Sequence, residues 1–370
     1  MDNLFEWIMS NAGRRKTDFP EGDFEAYRSK LTSIDAKFRA GPLKFVDQLA
    51  CSNDGEFYTV HGSSHVEMVL RRCYELSKCG GTKPKLTGYE AFLLCVAVYA
   101  HDSAMLYSRK NHANNLQQVL LDVCGSDNLT LSMEEKRKII VIARAHTSDM
   151  SGSRDTISSI PKTEPCGGKQ IRTAMLAAML RMADQLSDDR SRSAIGKVDE
   201  RAIPQKAIVF HKFIGCVDSI ICDFECSTVE VHLRFNASDL QGKIDHIDCY
   251  LWDFAVPEIM KWFREFFYCS RFTKPTFELR SLMFSAVVYN DGKSDDLSPS
   301  FVDEEGGLEV GEITSFDFTE KLFEHEFLLT VDAGYPFPND PYDMCDALRD
   351  FNSKGRLDGE ALAKELSSGT

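Results

Sequence analysis

The chain has 370 residues, 43% hydrophobic and 27% charged, with a formal net charge of −14. That length fits two domains, or one domain with an appendage, and the composition fits a globular protein with a sizeable core. The acidic balance argues against a protein that wraps a nucleic acid polymer, because like charges repel. The longest apolar run, 91–100, is about half the roughly twenty residues a membrane-spanning helix needs, so no membrane partner is expected. The opening MDNLFEWIMS carries Asp2 and Glu6 where a secretory signal would be basic. The twelve cysteines include no CxxC pair. They read as reduced thiols of a cytoplasmic protein, not as a zinc ribbon or a disulfide framework.

In chain order, residues 23–50 read as helical, with Phe24, Tyr27, Leu31, Ile34 and Phe38 on one side. Residues 1–50 are therefore an N-terminal helical extension. His65–Lys78 is an amphipathic helix that turns Val66, Val69, Leu70, Cys73 and Leu76 inward. Thr87 and Glu90 form a capping box at the start of a nearly all-apolar helix reaching about Leu106. Asn111–Cys124 makes the next helix. Ser132 and Glu135 cap a further one that ends near His146, and after a Ser/Gly/Pro-rich loop Ile171–Leu186 is helical again.

The pattern changes after Ile195. Ala207–Phe213, Val217–Phe224 and Thr228–Phe235 are β-prone, and the last alternates cleanly between apolar and polar residues. A helical segment is expected over Leu240–Tyr268, with a possible break at Pro257, then a strand over Phe277–Tyr289. The stretch Asp291–Glu312 holds eight carboxylates against one lysine and reads as a solvated loop. Glu326–Val331 suits a last strand, and the tail from Tyr342 a short helix. The expected fold class is mainly α, a helical bundle over 51–195, with a C-terminal α+β accessory domain over 196–335 and a tail over 336–370.

Five of the nine histidines, His61, His65, His101, His112 and His146, fall at or near expected helix ends. Asp102 follows His101 at the close of an apolar run, and Asp184 sits in the RMADQL helix. A carboxylate buried there without a partner costs several kcal/mol, and a bound cation is one economical remedy. Imidazole nitrogens with carboxylate oxygens suit Mn²⁺, Fe²⁺, Ni²⁺ or Zn²⁺, with Mg²⁺ a further candidate. Antiparallel helices of these lengths can bring His65, the His101–Asp102 pair and Asp184 to one point of a bundle core.

Four blocks carry a resemblance: HGSSHVEMVLRRC, LLCVAVYAHDSAML, IVIARAHTSD and LAAMLRMADQLSDDRSR. In this order they resemble the HD superfamily of metal-dependent phosphohydrolases, over about residues 45–195. The first and last blocks, with the FHKF segment beyond, look most like HD domains of bacterial stress and conflict systems, which accompany chaperone-like ATPases. The resemblance implies an HD-type bundle in which His65, His101, Asp102 and Asp184 hold a first metal. Asp102 would bridge to a second ion, with His112 and His146 as its further ligands. For both histidines the bland reading is a helix-end group bonded to backbone. The pair is followed by Ser103 and Ala104, where the family usually has an apolar residue and Gly.

The chemistry implied is hydrolysis of a nucleotide-like phosphate ester, in which one or two ions acidify water and polarise the phosphoryl oxygen. Asp102, His61 and Arg181 are the candidate catalytic residues. His61 would contact substrate or be an ordinary loop histidine. Arg181, three residues before Asp184, would contact phosphate or pair with Asp188 or a glutamate. Arg190 and Arg192 read as solvated. The competing class is a non-hydrolytic or degenerate module that senses a nucleotide or docks onto a partner ATPase. A homodimer is a further expectation, and a purely structural bundle is the weakest.

Overall fold

The computed structural model describes residues 3–10, 16–49, 61–79, 81, 84–108, 112–125, 130–148, 151–196, 203, 205–223, 227–244, 248–274, 276, 281–289 and 359–368. The acidic stretch 291–312, the expected strand at 326–331 and the start of the tail lie outside them.

The mainly helical architecture expected from the sequence is what is observed, with a three-stranded sheet in the C-terminal part and a short hairpin inside the bundle region. The extension forms α1 (Leu4–Met9), α2 (Phe24–Ala40) and α3 (Pro42–Leu49). The single helix read over 23–50 is split, because Gly41 leaves helical geometry just before Pro42. Asn3 and Asp23 cap α1 and α2 by accepting from Glu6 N and Ala26 N. The predicted face of α2 is buried in full, from Phe24 to Phe38.

Four helices form the bundle proper: α4 (Ser63–Ser77), α5 (Gly88–Ala100), α7 (Met133–Arg144) and α8 (Thr173–Gln185), with α6 (Leu116–Cys124) packed on α7. Every residue of α5 is buried, so it is the axis of the core. Both predicted capping boxes are present, at Thr87–Glu90 and Ser132–Glu135. The apolar pattern had suggested that α5 runs to Leu106. It stops instead at Ala100, and a 3₁₀ turn over Ser103–Leu106 follows. A small hairpin, β1 (Glu164–Cys166) with β2 (Lys169–Ile171), precedes α8. It turns on Gly167 and Gly168, whose φ of 55° and 72° other residues rarely adopt. A side chain at Gly167 would also run into Pro20 and Tyr89.

Beyond the bundle come α9 (Gln205–Gly215), β3 (Val217–Asp223), β4 (Thr228–Asn236), the single turn α10 (Ala237–Leu240), α11 (Leu251–Thr273) and β5 (Ser281–Tyr289). The sheet order is β3–β4–β5, antiparallel then parallel. The alternation in β4 holds, with Val229, Val231, Leu233 and Phe235 buried. Two expectations need correction. Ala207–Phe213 is helical: Val209 and Phe213, four apart, share a buried face, a helical period that β-propensity masked. Pro257 does not break α11, because Val256, Ile259, Trp262 and Phe266 anchor both sides of it in the core. A last helix, Gly359–Ser368, returns to α11, where Gly359 N donates to Asp253 Oδ1 at 2.9 Å.

The bundle has two chemically distinct ends. At the N-terminal ends of α5, α7 and α8, Glu135 accepts from Tyr27 Oη (2.8 Å) and Tyr89 Oη (3.0 Å), and Glu90 pairs with Arg172. At the opposite end lie the C-termini of α5, α7 and α8 and the N-terminus of α4, with the histidines.

Candidate metal centre

Each residue of the centre is delivered by a helix end. His65 lies in the first turn of α4, and His101 and Asp102 immediately follow α5. His112 opens the 3₁₀ turn before α6, His146 lies just past α7, and Asp184 is in the last turn of α8. Helix ends suit this task, because the chain can leave the axis there without forfeiting bonds within the helix.

Asp102 is the hub, with a side chain only 4% exposed. Its Oδ2 lies 2.7 Å from His61 Nδ1, 3.5 Å from His101 Nε2 and 3.8 Å from His65 Nε2. Its Oδ1 lies 3.2 Å from His112 Nε2 and 3.3 Å from His146 Nε2, and those two nitrogens are 3.2 Å apart. Asp184 Oδ1 closes the first group, 3.1 Å from His65 Nε2 and 3.7 Å from His101 Nε2. Two ligand sets therefore share one carboxylate: His65, His101, Asp102 and Asp184, and Asp102, His112 and His146.

The arrangement fits a cation better than it fits itself. Both ring nitrogens of His65 and Nε2 of His101 are buried without a hydrogen-bond partner. Their Nε2 atoms and the carboxylate oxygens converge on common points. Ligand atoms bound at about 2.0–2.2 Å to one ion stand roughly 3–3.5 Å apart, close to the separations observed. His101 Nδ1 donates to the Val98 carbonyl (2.7 Å) and His146 Nδ1 to that of Ala143. In both rings this leaves the Nε2 lone pair facing the centre, the outer-shell pattern of metal-bound imidazole.

The electrostatics agree. Burial alone would raise Asp102, but His101, His61 and bonds from His112 and His146 hold it well below the usual carboxylate range. Asp184 is likewise held low against burial, by His101 and His65. Burial, aided by Arg192, pushes His65 down to about 3, so its ring is neutral at neutral pH and one nitrogen offers a lone pair. His101 moves up to about 9: burial opposes its charge, but Asp102 and Asp184 outweigh that. A cation between the same carboxylates would take the place of that proton.

His61 stands over the centre. It gives its Nδ1 proton to Asp102, and burial followed by Arg192 lowers its pKa. The preceding helix α3 fixes its neighbourhood. Asp47 Oδ2 accepts from Ser63 N at 3.2 Å, and a Cβ at Gly62 would fall on the Asp47 carboxylate. Gly62 is thus required for close approach, and Asp47, which sequence reasoning missed, holds the start of α4.

Of the two readings of Arg181, the pairing with a glutamate is the one observed, and the phosphate contact is the one to correct. Arg181 does not face the centre as its spacing from Asp184 had suggested. Its Nε and Nη2 donate to Glu265 at 2.5 and 2.9 Å, and Nη1 donates to Arg154 O and Thr156 Oγ1. The guanidinium also lies 4.6 Å from the Tyr268 ring centroid. This fork is engaged by α11 and the loop before β1, so Arg181 joins the bundle to the accessory region. Arg192, read as solvated, is the reverse surprise: it is 7% exposed, and its Nη2 lies 3.1 and 3.3 Å from the His61 ring nitrogens. The signal available was Asp188 four residues earlier, an ion-pair spacing on a helical turn.

A family model described as HD-CE matches residues 55–264, so the chain belongs to that HD-type family. The match runs past the bundle through α9, β3, β4 and much of α11. No curated protein and no solved structure gives a significant match. Among the described residues, no helix is long and apolar enough to cross a membrane.

Proposed function

We propose that the protein is a metal-dependent phosphohydrolase acting on a small nucleotide-like phosphate ester. One observation carries the reading: six histidine and aspartate side chains from five helix ends converge around Asp102, with buried ring nitrogens that no protein group satisfies. His65, His101, Asp102 and Asp184 would hold one divalent transition metal, and Asp102, His112 and His146 a second. Ions there supply Lewis acidity toward water and toward a phosphoryl oxygen. The chain's own part is to fix the ligand lone pairs, keep both carboxylates ionised, and shelter the centre on the α5 side. His61, pinned between Asp102 and Arg192, is placed to hold or accept a proton at its Nε2 atom.

The departure at Ser103 and Ala104 does not disturb the hub. Ser103 Oγ donates to the Tyr99 carbonyl of its own helix, and Ala104 is buried. A cytoplasmic setting suits the nine cysteines that are free among the described residues.

The test is metal content by elemental mass spectrometry after loading with Mn²⁺, wild type beside Asp102→Ala, followed by phosphate release from a nucleotide panel. Two equivalents lost in the variant, with turnover in the wild type, is the expected result. One equivalent would restrict the centre to its first ligand set. Metal without turnover on any phosphate ester would leave a nucleotide-sensing or ATPase-docking module, and no metal at all would sink the enzyme.

A further inference from the structure

Exposure around the metal centre is uneven. The side chains of His65 and His101 are fully covered and that of His146 nearly so, whereas His112 is 12%, His61 18% and Asp184 26% exposed. The most exposed groups of the centre are therefore Asp184 and His61, and Arg192 flanks His61. Its guanidinium is two-sided: Nη1 pairs with Asp188, while Nη2 meets the His61 ring, itself bonded to Asp102. One imidazole separates this charge from the hub.

The segment that carries Arg192 is held firmly. It leaves α8 through Asp188 and Asp189, and Asp189 accepts from Ser191 N at 2.8 Å to cap a 3₁₀ turn over Arg190–Arg192. Just beyond, Ser193 Oγ donates to the His211 carbonyl at 2.8 Å, and Ala194 N donates to His211 Nδ1 at 3.1 Å. His211 is buried in α9, so the accessory region grips the arginine's backbone from behind. The neighbouring arginines are placed for other tasks: Arg181 is locked on Glu265, Arg190 points outward to Asp218, and Arg144 is exposed.

We propose that Arg192 is the side chain that takes a phosphoryl oxygen of the substrate at the mouth of this centre, with Asp188 as its positioning residue. The inference rests on the hydrolase reading above and names the anion contact that reading lacks. A guanidinium offers a planar fork matched to phosphate oxygens, and one pre-oriented by a carboxylate loses little side-chain freedom on binding. Nη2 can pass from His61 to the incoming anion while Nη1 stays on Asp188, so binding the anion would also release His61 Nε2.

The probe is inorganic phosphate, titrated calorimetrically into Mn²⁺-loaded protein, with Mn²⁺ affinity measured separately for each variant. Arg192→Gln should bind Mn²⁺ much as the wild type does. It should bind phosphate about 10–100-fold more weakly, the size of one lost charge-assisted contact. Arg192→Lys should recover part of that loss, and Asp188→Asn should fall between. Wild-type phosphate affinity in Arg192→Gln overturns the proposal, as does a Mn²⁺-loaded wild type that binds no phosphate. Should Arg192→Gln not fold, unchanged phosphate affinity in both Arg192→Lys and Asp188→Asn overturns it equally. A wild type that takes up no Mn²⁺ defeats the hydrolase reading itself, a result distinct from these.

Discussion

The two ends of the helical bundle are both buried and both polar, yet they are built on opposite terms. At the N-terminal ends of α5, α7 and α8 every carboxylate is answered within the protein. Glu90 accepts from Thr87 N, from Arg172 N and from two arms of the Arg172 guanidinium, and Glu135 accepts from two tyrosines and Ser132 N. At the opposite end, Nε2 of His65 and of His101 faces carboxylates without a hydrogen bond, and His65 Nδ1 is buried with none. A saturated cluster stabilises the fold, whereas an unsaturated one needs something from outside. The contrast separates structure from site without reference to any relative.

The sharpest way to break this contrast is Asp102→Ala. It should weaken Mn²⁺ binding by well over the roughly 100-fold typical of an outer-shell loss, while the metal-free protein still folds. A variant that unfolds would show Asp102 to be structural, like Glu90. At the other end, Glu90→Ala strands the Arg172 charge and should cost about 3–5 kcal/mol in denaturant unfolding, with Mn²⁺ affinity unchanged.

The same carboxylate predicts a pH dependence. Burial would raise Glu90, but bonds and charge from Arg172 and the backbone N–H groups hold it below its ordinary 4.5. Its contribution is therefore full above that value and is lost as pH falls through it toward the folded-state value. The melting-temperature gap between wild type and Glu90→Gln should be widest near neutral pH and shrink below about pH 4.5. A gap that stays constant down to pH 3 would contradict this.

Gly62→Ala sharpens the comparison from the metal side. It forces Asp47 off the start of α4 and should lower Mn²⁺ affinity by about tenfold, as supporting-shell changes do. The smallest effect is expected for Tyr27→Phe. Glu135 keeps Tyr89 and Ser132, so the loss should be about 1 kcal/mol in denaturant unfolding, with no effect on metal binding.

Much of this was legible in the sequence because it is local. The inward face of α2, both capping boxes and the alternation of β4 follow from spacing along a single element, and all are present. The blocks around His65, His101, His146 and Asp184 named the candidate centre, and five helix ends bring their side chains together. Legibility failed where a decision belongs to two distant segments. Arg181 and Arg192 both lie within eight residues of Asp184, and nothing local says which one turns toward it. Glu265 on α11 captures the first, and His211 on α9 steadies the segment bearing the second. The α9 helix was read as a strand for a related reason: its β-branched residues pack on a face that only the neighbouring 3₁₀ turn and α11 define.

By itself, then, the sequence determined the helices, their caps, the class of fold and the donor atoms a metal would require, because period and residue chemistry are carried along the chain. Only the tertiary structure decided which arginine stands at the mouth of the centre, why residue 62 is glycine, and which buried carboxylates are already satisfied. Those are questions of who meets whom across 16 to 131 residues of chain, and packing answers them.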